Sequence, residues 1–298
     1  MKTRPKFTYA EFVSRFPNDD SCLEHLFQIR YGKMENCPCC GNKANYKKVK
    51  DRRSYCCVSC SNQIYPTAGT IFHKSTTPLT VWFHAIFMFV VTRNGVAAKE
   101  LERTFSICYK TALRMAHQIK ILMSDDFADK LCGVVEMDET YLGGAQANMH
   151  VDVLNKKGRG KGTINKTAVF GMMETKGRVI TKVIKEHNVN YLTLKPIVKG
   201  NVSKDTIIVT DGAKMYPKIG KEFKAHHVMN HEMKEFARGG YTTNHMENYW
   251  SHLKRMIKGT HIHVSDTHLP KYLAEHGFRY MFREQPEKMF DILINRVA

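Results

Sequence analysis

The stretch that decides the fold is residues 134–144, VVEMDETYLGG. Its β-branched and aromatic residues predict a strand. Strand alternation places Glu136, Asp138 and Thr140 on one face and Met137 on the other. A carboxylate inside an apolar strand is costly to bury and is usually kept for a specific role. Asp138 is therefore a candidate functional residue.

The chain that follows continues with strand-like and helical stretches. Three are rich in β-branched residues and the last is strongly helical: 167–173, 178–184, 206–210 and 246–257. We therefore predict an α/β fold. Asp211 ends the third of these strands, at a carboxyl end where α/β proteins bind ligands. For Asp211 taken alone, an Asp-Gly turn is the alternative interpretation.

The helical stretch begins NHMENYWSHLKR, residues 244–255. Glu247 lies beside its apolar stripe, and Lys254, seven residues later, is about 20° away around the helix. Both side chains are therefore expected to point the same way. If Asn244 is the N-cap, Glu247 falls at the capping-box position. A capping role and a catalytic role for Glu247 both remain open.

Six of the nine cysteines lie between residues 36 and 70. Cys37, Cys40, Cys57 and Cys60 form a C-x2-C-x16-C-x2-C pattern, which predicts a zinc ribbon with a closed, structural Zn²⁺ site. Neighbouring Cys39 and Cys56 could replace one of the four. Buried thiols with disulfides are the alternative, but the absence of an export signal argues against it.

Residues 97–104 and 106–118 predict two short amphipathic helices, with Ser106 as a cap. Tyr109, Lys110 and Arg114 are expected on the outer face of the second helix. This is the outline of a helix-turn-helix that binds DNA. An ordinary helical hairpin has the same pattern.

Charge is the unusual property of these 298 residues. Forty-six Lys and Arg against 28 Asp and Glu give a net charge of +18, which favours a polyanionic partner such as nucleic acid. The apolar run 79–91 is shorter than the roughly 20 residues of a membrane span. Since residues 1–12 lack a signal-peptide pattern, we expect a cytoplasmic protein with no membrane partner.

Motifs from most of the chain occur in a distinctive order and spacing. They are FP (16–17), CLEHL (22–26), CPCCG (37–41), TAGTIFHKSTTPL (67–79), EMDETYLGG (136–144), VTDGA (209–213), NHMENYWSHLKR (244–255) and GTHIHVS (259–265). Together they resemble the DDE transposases of the Merlin-related bacterial insertion sequences, the ISXO-like group. Such proteins join an N-terminal zinc ribbon to a ribonuclease-H-like catalytic domain.

The resemblance implies a role for each matching residue. Asp138, Asp211 and Glu247 would form the metal-binding triad for two Mg²⁺ or Mn²⁺ ions, with Lys254 as the accompanying cation. Some relatives have asparagine as the third ligand, for which Asn244 is the candidate here; a carboxylate suits a hard cation better. The four cysteines of the pattern would bind Zn²⁺.

The implied organisation is a helical segment (1–35), a zinc ribbon (36–75), a helix-turn-helix segment (76–125) and a ribonuclease-H-like mixed-sheet domain (130–298). The expected activity is nicking at terminal inverted repeats and joining of the 3′-hydroxyl ends to target DNA by a nucleoid-associated homodimer or larger oligomer. Further cations are expected to contact DNA: Lys157, Arg159, Lys161, Arg255 and Lys258. The alternatives are a non-catalytic DNA-binding regulator, a nuclease for RNA–DNA hybrids and an inactive transposase copy.

Overall fold

The computed structural model describes residues 7–124, 129–144, 151–152, 166–175, 177–184, 189–229, 237–238 and 241–297. By its internal contacts the chain divides into two units. Unit 1 contains Met1–Leu122 together with Phe282–Ala298, and unit 2 contains Met123–Met281. In this division the residues from 282 onward, which the predicted 130–298 domain includes, group with unit 1.

Unit 1 combines short helices with a three-stranded antiparallel sheet in the order β1-β2-β3. Its elements are α1 (Tyr9–Arg15), α2 (Asp19–Tyr31), β1 (Tyr46–Lys48), β2 (Tyr55–Cys57), β3 (Gln63–Ile64), α3 (Leu79–Val91), α4 (Ala98–Phe105), α5 (Tyr109–Leu122), a 3₁₀ turn (Pro286–Lys288) and a last helix (Met289–Asn295). Helix α3 is apolar around most of its circumference and is largely buried. The last helix completes this core, since the Phe290 ring lies 5.5 Å from Phe16 and 6.2 Å from Phe83.

Asp19 holds the ribbon and the helices of unit 1 together. Helix α3 starts after Pro78, which has no side chain able to cap it. The Asp19 carboxylate accepts the backbone N–H of Leu79 at 3.0 Å and of Thr80 at 2.9 Å. Arg53, next to β2, donates to the same carboxylate at 3.3 Å. One carboxylate therefore accepts hydrogen bonds from two backbone N–H groups that have no partner within the helix, and it also pairs with a neighbouring cation.

The two predicted helices after α3 are present with shifted ends. Ser106 has φ 51° and ψ 39° and ends α4 as its left-handed C-cap. The prediction that Ser106 caps the start of the following helix is therefore wrong. A left-handed residue reverses the chain between the two helices, and α5 begins at Tyr109.

Unit 2 is built on a five-stranded mixed sheet in the order β6-β5-β4-β7-β8. Its elements are β4 (Val134–Leu142), β5 (Thr167–Glu174), β6 (Val179–Ile184), α6 (Tyr191–Asn201), β7 (Ile207–Asp211), α7 (Tyr216–Gly220), β8 (Ala225–Met229), β9 (Ala237–Arg238), β10 (Tyr241–Thr242), α8 (Asn244–Met256), a π-helix (Ile257–His261) and α9 (Leu269–Met281). β4, β5 and β6 are antiparallel, whereas β7 and β8 run parallel to β4. This arrangement confirms the predicted α/β fold with a mixed sheet.

Helix α8 packs on one face of the sheet and is fixed there by Glu136. This carboxylate is 1% exposed. It accepts the backbone N–H of Met246 at 3.1 Å and hydrogen bonds His245 Nδ1 at 2.6 Å. A buried acid on β4 thus satisfies a backbone donor in the first turn of α8. Burial raises the pKa of this carboxyl.

Gly171 allows the close approach of α8 to the sheet. It pairs with Asp138 across β4 and β5. A Cβ at this position would lie 2.0 Å from Met246 Cε and 2.5 Å from the Trp250 ring. We expect Gly171→Ala to lower the free energy of unfolding by about 1–3 kcal/mol, because overpacking displaces the helix. Urea titration measures this loss.

Gly200→Ala is the matched control for that substitution. Gly200 lies in α6, and a Cβ there meets nothing within 4 Å. Alanine in a helix should leave stability unchanged or raise it by about 0.5–1 kcal/mol. Equal stability of the Gly171→Ala and wild-type chains would contradict the close packing inferred for α8.

His276 makes unit 2 sensitive to acid. Its ring is buried on α9, and its Nε2–H donates to the Tyr249 carbonyl at 3.1 Å. Burial lowers the pKa of His276 to about 4, whereas an unfolded histidine has a pKa of about 6.5. Between these values the unfolded chain binds a proton and the folded chain does not. Acidification from pH 6.5 to 4 should therefore remove up to about 3 kcal/mol of stability.

His276→Gln tests this pH dependence, since an amide can still donate to the Tyr249 carbonyl. At pH 4.5 the variant should have the higher unfolding midpoint. At pH 7 the difference between the midpoints of variant and wild type should be smaller. His268→Gln, at an exposed position of unit 2, is the control and should follow the wild type throughout. A His276→Gln chain as acid-sensitive as the wild type would count against the assignment.

Candidate active site

Three carboxylates meet at an edge of the unit 2 sheet. Oxygen atoms of Asp138, Glu139 and Asp211 all lie within 4.8 Å of one another. The parallel pairing of β4 with β7 ends at Met137 and Thr210, while β4 continues to Leu142. Among the described strands, none pairs with this edge of β4 beyond Met137, so side chains from both of its faces can converge beside the end of β7.

Local contacts hold the second and third of these acids. Asp211 Oδ1 accepts the backbone N–H of Ala213 at 3.0 Å, which is the Asx-type turn considered for this residue. Glu139 accepts a hydrogen bond from the hydroxyl of Tyr216, a fully buried side chain on α7. Asp211 thus takes part in the turn and in the carboxylate cluster at the same time.

Two members of the cluster, Asp138 and Glu139, have raised pKa values, chiefly because their carboxyl groups are buried. Burial raises the pKa of Asp138 to about 6, and the negative charges of Asp211 and Glu247 contribute to this shift. Burial also raises the pKa of Glu139 to about 8, although the Tyr216 hydrogen bond opposes the shift. Folding therefore concentrates repulsive negative charge that a bound cation would neutralise.

Glu247 lies on α8 with an exposed side chain, and its charge acts on Asp138. It is not one of the three acids within 4.8 Å. Helix α8 has Thr243 as its N-cap and not Asn244, the residue considered for that position. The Thr243 hydroxyl donates to Glu247 at 3.4 Å. Asn244 is exposed at the first helical residue, where its backbone N–H donates to Thr242 Oγ1 at 3.0 Å.

Glu139 is the site residue that the sequence analysis missed. Strand alternation assigns it to the face opposite Asp138, and this kept it out of the predicted cluster. The cause is visible only in the structure, where β4 has nine residues and β7 has five. Where a long strand extends beyond a short neighbour, side chains from both faces of the long strand can reach its unpaired edge.

A second cluster lies in the ribbon of unit 1. Cys37, Cys40, Cys57 and Cys60 form one group of sulfur atoms within 4.8 Å. Sγ of Cys37 is 3.8 Å from that of Cys60. Ligands about 2.3 Å from a tetrahedral Zn²⁺ are separated by nearly this distance. The geometry therefore fits zinc.

The two halves of the ribbon have matching backbone geometry. The N–H of Gly41 donates to the Cys37 carbonyl, and that of Ser61 to the Cys57 carbonyl, both at 2.9 Å. Gly41 and Ser61 both have positive φ. This repeat favours the predicted four ligands over Cys39, which is exposed. A hydrogen bond from the Tyr46 hydroxyl lowers the pKa of the Cys37 thiol to about 6.

Family models match both parts of the chain. The ISXO2-like transposase domain matches residues 130–281, and the transposase zinc-ribbon domain matches residues 17–63. The chain belongs to the ISXO2-like transposase family. The transposase domain match ends at residue 281, where unit 2 also ends.

Individual proteins show the same similarity. An uncharacterized transposase-like protein of Haemophilus influenzae is 30% identical over 105 residues, which cover 35% of this chain and 82% of that protein. Among solved structures, the crystal structure of the Mos1 Strand Transfer Complex is similar with a TM-score of 0.31 and 11% identity. That match covers 72% of this chain and 78% of the other.

The structure also places most of the cations predicted to contact DNA. Tyr109, Lys110 and Arg114 are exposed on α5, although the Arg114 guanidinium lies 5.5 Å from the centre of the Trp82 ring. The remaining predicted cations fall into two groups. Lys254, Arg255 and Lys258 are exposed on α8 and the π-helix, whereas Lys157, Arg159 and Lys161 lie outside the described residues. Among the helices that the structure describes, none has the length and apolar character of a membrane span.

Proposed function

We propose that this member of the ISXO2-like family is an active transposase that cuts DNA at the ends of its element and joins the 3′ ends to target DNA. The observation that carries the proposal is the convergence of Asp138, Glu139 and Asp211 within 4.8 Å at the edge of β4. Glu247 on α8 adds a fourth acid, whose charge acts on Asp138.

These donors fit a divalent cation. They are carboxylate oxygens, which Mg²⁺ and Mn²⁺ prefer, and they are only partly exposed. Charges this close repel one another: besides burial, Asp211 and Glu247 contribute to the raised pKa of Asp138. When bound at the cluster, a pair of such ions supplies Lewis-acid stabilisation of the charge that develops at the attacked phosphorus.

The residues of the chain would orient the groups around that phosphorus. We assign Asp138 and Asp211 as ion ligands, with Glu247 or Asn244 as the third and Glu139 as an additional one. The Tyr216 hydrogen bond orients Glu139, and the contacts of Glu136 with the first turn of α8 position Glu247. Lys254 would bind a phosphate beside the site as a point charge.

The reaction consists of two displacements at phosphorus. In the first, a water oxygen bonds to phosphorus and the 3′-oxygen of the element end leaves as a hydroxyl. In the second, this hydroxyl attacks a target phosphodiester, and the target 3′-oxygen leaves. We propose that the ribbon and the α4–α5 pair bind the DNA, and that a dimer or larger oligomer holds two ends together.

A direct test uses the full chain and a duplex carrying the inverted repeat that flanks its gene. We expect 3′-end cleavage and strand-transfer products in Mg²⁺ or Mn²⁺ and none in EDTA. Specific binding without cleavage in either ion would contradict the proposal and favour a DNA-binding regulator. Cleavage of RNA–DNA hybrids alone would favour a ribonuclease.

A further inference from the structure

Ile262 is a large apolar side chain that the fold leaves in solvent. It is 84% exposed, the highest value among the large apolar side chains of the described residues. It follows the π-helix and precedes α9. An isoleucine with so little buried area contributes almost nothing to the core.

The backbone at Ile262 is also strained. Its φ is 62° and its ψ is −59°, and the N–H of His263 donates to the His261 carbonyl at 2.6 Å. These values define a γ-turn of the rare, strained type. A β-branched residue at positive φ is an outlier. Folding thus keeps an unfavourable conformation at a position that gains no burial.

Buried contacts before the turn hold it in this conformation. The His261 side chain is 6% exposed and its Nε2 lies 4.0 Å from the Glu275 carboxylate, which is itself fully buried. The centres of the His261 and Tyr272 rings lie 4.6 Å apart in an edge-to-face arrangement. The backbone N–H of Ile262 donates to the Ile257 carbonyl at 2.7 Å. Strain persists only where the surroundings impose it in this way, and such positions cluster at functional sites.

The exposed isoleucine borders a cationic groove of about 730 Å³. Its lining includes Lys166, Lys254, Lys258 and His263, together with the apolar side chains of Leu142 and Ile262. No acid is among the described residues that line it. A groove with this charge suits the phosphates of a polyanion.

The groove starts close to the candidate active site. Leu142 is four residues after Asp138 on β4, roughly 13 Å along a strand. Lys254 is seven residues after Glu247 on α8, roughly 10 Å along a helix. Successive nucleotides of one strand are about 3.4 Å apart, so these distances correspond to about three or four nucleotides.

We propose that Ile262 is a wedge that inserts between neighbouring bases of the DNA held in this groove, at least about three nucleotides from the cut phosphate. The inference rests on the transposase function proposed above and adds a substrate-contacting residue to it. Isoleucine is among the apolar side chains that proteins insert between base steps. Lys166, Lys254 and Lys258 would hold the backbone while the fixed turn presents the side chain.

The test places 2-aminopurine at each of the first six nucleotides beside the cut site of the terminal-repeat duplex. Unstacking raises the fluorescence of this base, so the wild-type chain should give a maximum at one position, at about the third nucleotide or beyond. Ile262→Ala and Ile262→Gly should lose the maximum and slow strand transfer by about tenfold. Ile262→Leu should retain both.

Stability separates a wedge from a structural role. Glycine relieves the strain at positive φ, so Ile262→Gly should melt no lower than wild type although it has lost activity. Leu192→Ala is the matched control, because Leu192 is 77% exposed in unit 2 and does not line the groove. It should change neither the fluorescence maximum nor the rate.

Three results would overturn the wedge. One is a fluorescence maximum that persists in Ile262→Ala, and another is a wild-type chain that cuts this DNA without any maximum. The third is an Ile262→Ala chain that changes only its oligomeric mass, which would make Ile262 a contact between copies. A wild-type chain that cannot cut the duplex refutes the proposed transposase function first, and the wedge with it.

Discussion

An Asp138→Asn chain is expected to lose DNA cleavage and strand transfer by at least about 10³-fold. The amide has nearly the shape of the carboxylate, so the packing of β4 against α8 should survive. It lacks the negative charge that a divalent ion requires. The rate of strand transfer in Mg²⁺ with the terminal-repeat duplex measures the loss.

The same substitution should stabilise the ion-free chain. Burial raises the pKa of Asp138 to about 6, above its ordinary value of 3.8. The folded state therefore binds a proton more tightly than the unfolded state, and the ionised carboxylate costs stability at pH 7. Its removal should add up to about 3 kcal/mol to the free energy of unfolding. If the variant loses activity but gains stability, the loss comes from the missing site residue and not from damage to the fold.

Asp205→Asn is the matched control, since Asp205 is an exposed acid just before β7. It should retain wild-type activity and stability. Parallel variants identify the remaining ligands: Glu247→Gln and Asn244→Ala separate the two candidates for the third position, and Glu139→Gln tests the additional one. Strand transfer by Asp138→Asn at the wild-type rate would refute the active site.

The second large effect concerns the ribbon. A Cys57→Ser chain should lose its bound zinc and the fold of residues around β1–β3, because structural zinc sites contribute about 10 kcal/mol or more of folding free energy in small domains. Binding to the terminal-repeat duplex should fall with it. Metal analysis of the purified chain should find one zinc ion in the wild type and none in the variant.

Cys39→Ser is the control for the ribbon. Cys39 lies in the same turn as Cys40 but is exposed and outside the sulfur cluster. This variant should keep its zinc and its DNA binding. Loss of zinc from Cys39→Ser and its retention in Cys57→Ser would show that the ligand set has been assigned incorrectly.

The elements of the fold were largely predictable because local patterns specify them. The spacing of Cys37, Cys40, Cys57 and Cys60 predicted a cluster that the structure forms. The strand alternation around Asp138 also matched β4, apart from its length. The cysteine spacing and the strand alternation both depend on residues that are close in sequence. Both indicate structures that a few local contacts hold.

The features that depend on tertiary contacts were not predictable in this way. Asn244 follows the usual preference for helix caps, yet Glu136, more than 100 residues earlier, supplies an acceptor for the first turn of α8. Glu139 joins the acid cluster only because β7 stops short of the end of β4. Neither the partner of a helix start nor the relative length of paired strands can be derived from a local pattern.

The assignment of Phe282–Ala298 to unit 1 has a consequence for biosynthesis. A chain emerging from the ribosome exposes all of unit 2 before Phe290 becomes available to cover the aromatic rings of Phe16 and Phe83. Domains generally fold as they emerge. The half that contains the zinc ribbon, although translated first, is therefore the last to be complete, and a nascent chain can assemble its acidic cluster earlier.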